Sequence, residues 1–209
     1  SLNPELISES KRIMEIALEM ETNIVTTHIG VVPTDPEHPR YKIMQDACGV
    51  LAEYADGLGA HFAIETGPEP AKTLKGFLDG LHSRGVAVNL DPANLVMVSG
   101  DDPVEAAHTL KDYIVHTHAK DGRMLYSLDP EIVYGVRPKS PELVESPSFI
   151  ELPLGEGDVP FKEYLSALEE DGYRGFLTIE REVGENPARD IASAVDYLKN
   201  IIGLWLIQE

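Results

Sequence analysis

Five short runs of β-branched and apolar residues alternate along this chain with stretches of helical period, and four of the five end on a side chain that can bind a metal. The runs are Asn23 to Gly30 (NIVTTHIG), His61 to Thr66 (HFAIET), Val86 to Asp91 (VAVNLD), Tyr113 to Ala119 (YIVHTHA) and Phe176 to Glu180 (FLTIE). Between them, apolar residues recur at helical spacing. Asn3-Pro4 reads as a cap for a helix to about Met20, Tyr41 to Tyr54 stops at Gly57-Leu58-Gly59, and further helices are expected over Ala71 to His82, Pro103 to Lys111, Phe161 to Glu170 and Ala188 to Ile201. Strand followed by helix, repeated, predicts a parallel α/β fold. Regularity lapses after Asp121, through Tyr126, Pro130, Tyr134, Pro138 and Pro141, which predicts a lid or a surface excursion. Gly155 to Asp158 reads as a shaped turn, and Phe62, Phe77, Phe161, Tyr164 and Phe176 as core.

Glu65, Asp91, His118 and Glu180 close four of the runs. In a parallel barrel the C-terminal strand ends open onto one rim, so residues remote in sequence meet there. Three carboxylates and an imidazole form a mostly oxygen donor set suited to one Mn²⁺, Mg²⁺ or Co²⁺ ion, with Zn²⁺ also admissible. Ionised, the three carboxylates outweigh a divalent charge by one, and a cation relieves their repulsion. His116 and His118 share a strand face, with Thr117 on the other. His116 and His28 are read either as wall residues or as substrate contacts. The other four histidines are read as incidental.

Composition narrows the class. The 209 residues, 43% of them hydrophobic, suit one domain over 1–209. Seventeen basic against 36 acidic residues give a formal charge of −19, which disfavours nucleic acid and anionic lipid as partners. The single Cys48 forms no internal disulfide, no apolar run is long enough for a membrane span, and Ser1-Leu2-Asn3-Pro4 is not a signal peptide, so a cytoplasmic setting is expected.

The ordered blocks ETG (Glu65 to Gly67), NLDPANL (Asn89 to Leu95), VHTHAKD (Val115 to Asp121), PLGEGDVPF (Pro153 to Phe161) and DGYRGFLTIERE (Asp171 to Glu182) resemble the xylose-isomerase-like (β/α)₈ TIM barrels identified as sugar phosphate isomerases and epimerases. The resemblance implies that Glu65, Asp91, His118 and Glu180 are metal ligands and that Glu65 and Glu180 are also the acid/base pair. It implies proton transfer through a metal-stabilised enediolate of a sugar or sugar phosphate, with association into homo-oligomers. Two positions depart from relatives that epimerise free ketoses: Asn94 stands where they place a histidine, and Met124 where they place an arginine, with Arg123 one residue short. Asn94, Arg123 and Lys120 are therefore carried as substrate contacts, Lys120 as a holder of an anionic or oxyanionic group. Matched to the barrel, the five runs are its fourth to eighth strands, and an N-terminally truncated barrel is expected, short by roughly 70 to 90 residues of the usual ~250. An inosose-type dehydratase or lyase, an apurinic-site endonuclease and a non-catalytic sugar-binding relic are the alternatives.

Overall fold

The computed structural model describes residues 3–140 and 146–205. Pro141, part of the irregular stretch, lies outside the described residues, as do Ser1 and Leu2. Five parallel strands form one curled sheet in the order β1 (Ile24–Thr27), β2 (His61–Glu65), β3 (Val86–Leu90), β4 (Ile114–Ala119) and β7 (Leu177–Ile179). Helices alternate with them: α1 (Pro4–Glu19), α2 (Pro39–Leu58), α3 (Ala71–Asp79), α5 (Pro103–Leu110), α7 (Phe161–Glu170) and α8 (Pro187–Trp205). The expected xylose-isomerase-like TIM barrel fold is present as a half-barrel arc.

Local chemistry sets the helix ends. Proline occupies the first turn of α1, α2 and α5, where no backbone donor is lost, and the Asn3 and Asp102 side chains accept from backbone N–H groups at their N-termini. Gly59 ends α2 at φ +66°, a left-handed cap. The core fills the space between sheet and helices, with Phe62, Ile64, Val88 and Leu90 meeting Leu74, Phe77, Leu110 and Tyr164.

Alternation along the strands leaves the opposite set, Ala63 and Glu65, Ala87 and Asn89, His116 and His118, on the concave face. A register shift makes this possible. β3 and β4 pair Val88 with Ile114, then Asn89 with His116, so Val115 is the extra residue of a bulge. Unshifted pairing would set Val115 opposite Asn89 and turn both imidazoles toward the helices.

Two expectations need correction, and one element, the turn after Asp91, is additional to them. The stretch after Asp121 contains an antiparallel pair, β5 (Asp121–Met124) with β6 (Phe149–Leu152), and a short helix α6 (Pro130–Val133). Asp91 is followed at once by a helical turn, α4 (Pro92–Asn94), running into a π-helical turn at Leu95–Ser99. Phe176 is not core: it is 81% exposed, because it precedes β7, which has a sheet partner on one side only among the described residues. Phe62, Phe77, Phe161 and Tyr164 are buried as expected.

Candidate metal centre

Glu65 ends β2, Asp91 follows β3, His118 lies one residue inside the end of β4, and Glu180 follows β7. Four neighbouring strands therefore deliver four side chains to the same rim. One ligand atom from each lies within 4.8 Å of all the others. His118 points its Nδ1 at the group, 3.2 Å from Glu180 Oε2, 3.3 Å from Asp91 Oδ2 and 3.7 Å from Glu65 Oε1.

Each of the four side chains is held from behind, His118 by Asn89 Nδ2, 3.2 Å from its Nε2. Asp91 Oδ1 accepts from the Asn94 N–H, capping the turn that follows, while Thr66 Oγ1 accepts from the Asp91 N–H at 2.8 Å and donates to the Asp91 carbonyl. Asn94 Nδ2 donates to Glu65 Oε1 and Asn89 Nδ2 to Glu65 Oε2. Lys120 Nζ donates to Glu180 Oε2 at 3.0 Å and to Glu182 Oε2 at 2.8 Å. Asp121, next in the chain, is fully engaged elsewhere: its carboxylate accepts from the N–H groups of Gly122, Gly155, Gly157 and Val159, and the Gly155 to Asp158 turn is shaped around it.

The donor set fits a hard divalent cation. Glu65, Asp91 and Lys120 are almost wholly buried, with the Lys120 ammonium 3.0 Å from Glu180 and 4.0 Å from Asp91. Asn89 Oδ1 adds a buried acceptor without a hydrogen-bond partner among the described residues. Burial raises the Glu65 carboxyl, and the neighbouring Asp91 charge raises it further. Glu180 moves the other way, to about 2, through its hydrogen bond with His118, against a smaller opposing effect of burial. Burial works against a charged His118, but hydrogen bonds to Asp91 and Glu180, with their charges, hold it at about 10. Such opposed shifts in one rim cluster mark a place where charge has been concentrated for use.

The remaining candidates are spread unevenly. His28 stands just past β1, half exposed, with Nε2 3.6 Å from Glu65 Oε2. Asn94 lines the cleft but spends its amide on Glu65 and the Thr66 carbonyl. His116 lies one step below His118 on the concave face, its ring 5.8 Å away and edge-on, and burial lowers its pKa. Lys120 lines the cleft with its ammonium already among carboxylates. Arg123 is apart from the group, exposed and paired with Asp158 at 2.8 Å. Three residues of the site carried no role in the sequence reading. Asn89 was legible as a polar residue two before Asp91 in an apolar run; Glu182 and Tyr134, which also line the cleft, sit in loops and gave no periodic signal.

The chain matches the family described as xylose isomerase-like TIM barrel over residues 5–201. Inosose dehydratase of Clostridium tetani (strain Massachusetts / E88) is 27% identical over 138 residues, which are 66% of this chain and 43% of that protein. Among solved structures, the xylose isomerase domain protein from Planctomyces limnophilus is 32% identical with a TM-score of 0.76, covering 93% of this chain and 63% of the other. A D-tagatose 3-epimerase-like protein shares the fold at 20% identity and a TM-score of 0.71, over 98% of this chain and 72% of its own. The chain thus spans less than two thirds of the first two of these relatives.

Proposed function

Because the chain belongs to the xylose isomerase-like TIM barrel family, we propose that it is a divalent-metal-dependent isomerase or epimerase acting on a sugar-like hydroxyketone. The observation that carries this reading is the meeting of Glu65, Asp91, His118 and Glu180 within 4.8 Å at the strand ends. An ion held by these four would polarise a carbonyl and its neighbouring hydroxyl, acidifying the hydrogen on the carbon between them.

The chain's own residues supply the proton transfers. Glu65 and Glu180 come from β2 and β7, the strands that flank β3 and β4 in the sheet, so they approach the cleft from two sides. Glu180, oriented by the Lys120 ammonium, and Glu65 share the two roles: one removes the carbon-bound proton and the other returns one. Asn89 and Asn94 fix the Glu65 carboxyl, and His28 beside it is placed to bind a substrate hydroxyl.

The test is Mn²⁺-loaded protein incubated in deuterated water with a panel of ketoses, aldoses and an inosose. Deuterium at one carbon, followed by NMR, is the expected result, and Glu180→Gln should slow it at least ~100-fold while the fold persists. Undiminished exchange in that variant would remove Glu180 from the chemistry. A dehydratase is the second reading, supported by the 27% identity to inosose dehydratase; it uses the same proton abstraction, and loss of water from the inosose would select it.

A further inference from the structure

The cleft above the four ligands has a volume of about 230 Å³ and is lined on its polar side by His28, Glu65, Asn94, Lys120, Glu180 and Glu182. Lys120 is the single lysine or arginine among its described lining residues, and its ammonium is surrounded. Glu182 Oε2 is 2.8 Å away, Glu180 Oε2 3.0 Å, Glu151 Oε2 3.9 Å and Asp91 Oδ2 4.0 Å. Glu151 has a second cation in Arg181, at 2.8 Å, and Asp91 and Glu180 also face His118 Nδ1, whereas Glu182 meets Lys120 alone among the described residues. Glu182 thus adds a carboxylate at the mouth of the cleft, directly against the single ammonium of the lining. The Glu182 side chain is 64% exposed and the Lys120 side chain 4%, so the glutamate is the group a ligand meets first.

We infer that Glu182 acts as a charge filter: the cleft takes an uncharged polyhydroxylated ketone, and Glu182 holds the Lys120 ammonium so that phosphate esters and carboxylates are refused. This inference rests on the functional reading above and names its substrate class. An anionic group entering the cleft would have to displace Glu182 from Lys120 and then sit among Glu65 and Glu180. A neutral polyol meets no such opposition, since hydroxyls donate to carboxylates and accept from the ammonium. Losing Glu182 leaves Lys120 paired with Glu180, so the fold has no need of the filter.

The experiment is calorimetric binding to Mn²⁺-loaded wild type, Glu182→Gln and Glu182→Ala. The probes are D-fructose, D-tagatose and an inosose, set against fructose 6-phosphate and tagatose 6-phosphate. Wild type should bind at least one neutral probe ~10-fold or more tightly than either ester, and both variants should narrow that ratio several-fold, chiefly by gaining ester affinity. Thermal unfolding of the variants should stay near that of wild type. An ester bound as tightly as the free sugars by wild type, or a ratio unchanged in both variants, would overturn the filter and leave the enzymatic reading standing. Binding of none of the probes would overturn the enzymatic reading and the filter with it.

Discussion

His118 sits with Nδ1 facing three carboxylates, and a cation seeking that nitrogen must first remove its proton. With the imidazole held at about 10, Mn²⁺ binding at neutral pH should release ~1 proton, and affinity should climb close to tenfold per pH unit between pH 6 and 8. Calorimetry in buffers of different ionisation enthalpy measures both; a flat profile would take Nδ1 out of the coordination set. Glu69 gives a prediction for the fold itself. Burial pushes its carboxyl up to about 8, against the Val32 N–H hydrogen bond that lowers it. The folded chain therefore keeps a proton that the unfolded chain gives up above 4.5, and the stabilisation is complete below that pH and lost as pH rises through 8. The loss runs at no more than ~1.4 kcal/mol per pH unit. Glu69→Gln should flatten it, matching wild type near pH 5 and exceeding it near pH 8.5 in urea midpoints. At this scale the four residues of the rim cluster could be read from sequence because each interrupts an apolar run. Glu182 and Tyr134 could not, since nothing in a loop's spacing tells which way its side chains turn.

Among the elements, the antiparallel pair β5–β6 and the turn beyond it depend on Asp121, whose two oxygens take four backbone N–H groups at 2.8 to 3.1 Å. Asp121→Asn puts an amide donor against donors and should cost about 2–3 kcal/mol in chemical denaturation. Gly157→Ala should be at least as damaging, because a Cβ there would stand 2.0 Å from Asp121 Oδ1. The pair escaped sequence reading for a physical reason. β5 is Asp-Gly-Arg-Met, with no alternation and two residues that disfavour strands, and its partner begins 25 positions after it ends. It is a strand because tertiary packing makes it one. The five sheet strands were legible because their buried faces demanded β-branched and apolar side chains, although their ends were read one to three residues long. The missed helical turn after Asp91 follows from the same residue's double use, with one oxygen capping Asn94 and the other facing the ligand group.

For the molecule as a whole, a cation bound only by the folded state should raise stability by mass action, about 2.7 kcal/mol at a hundredfold excess over Kd. The melting temperature should rise with Mn²⁺, fall back with a chelator, and stay indifferent to both in His118→Ala. The strand-and-helix alternation was enough to give a parallel α/β fold, because parallel strands need helical crossovers and those leave a period behind, and the resemblance to the xylose-isomerase-like barrels added the curl into an arc. It did not give the register shift at Val115, on which the inward turn of the histidines depends. Among the described residues no helix is long and apolar enough to cross a membrane. The four ligands are not equally anchored. Glu65, Asp91 and His118 stand on strands bonded on both sides, whereas Glu180 follows a three-residue strand joined, among the described residues, only to β4, and its side chain is 29% exposed. Fraying of that outermost strand would swing one jaw of the clamp aside while three stay put, so a captured ion should escape through this side, at the pace set by amide exchange across Thr178 to Glu180.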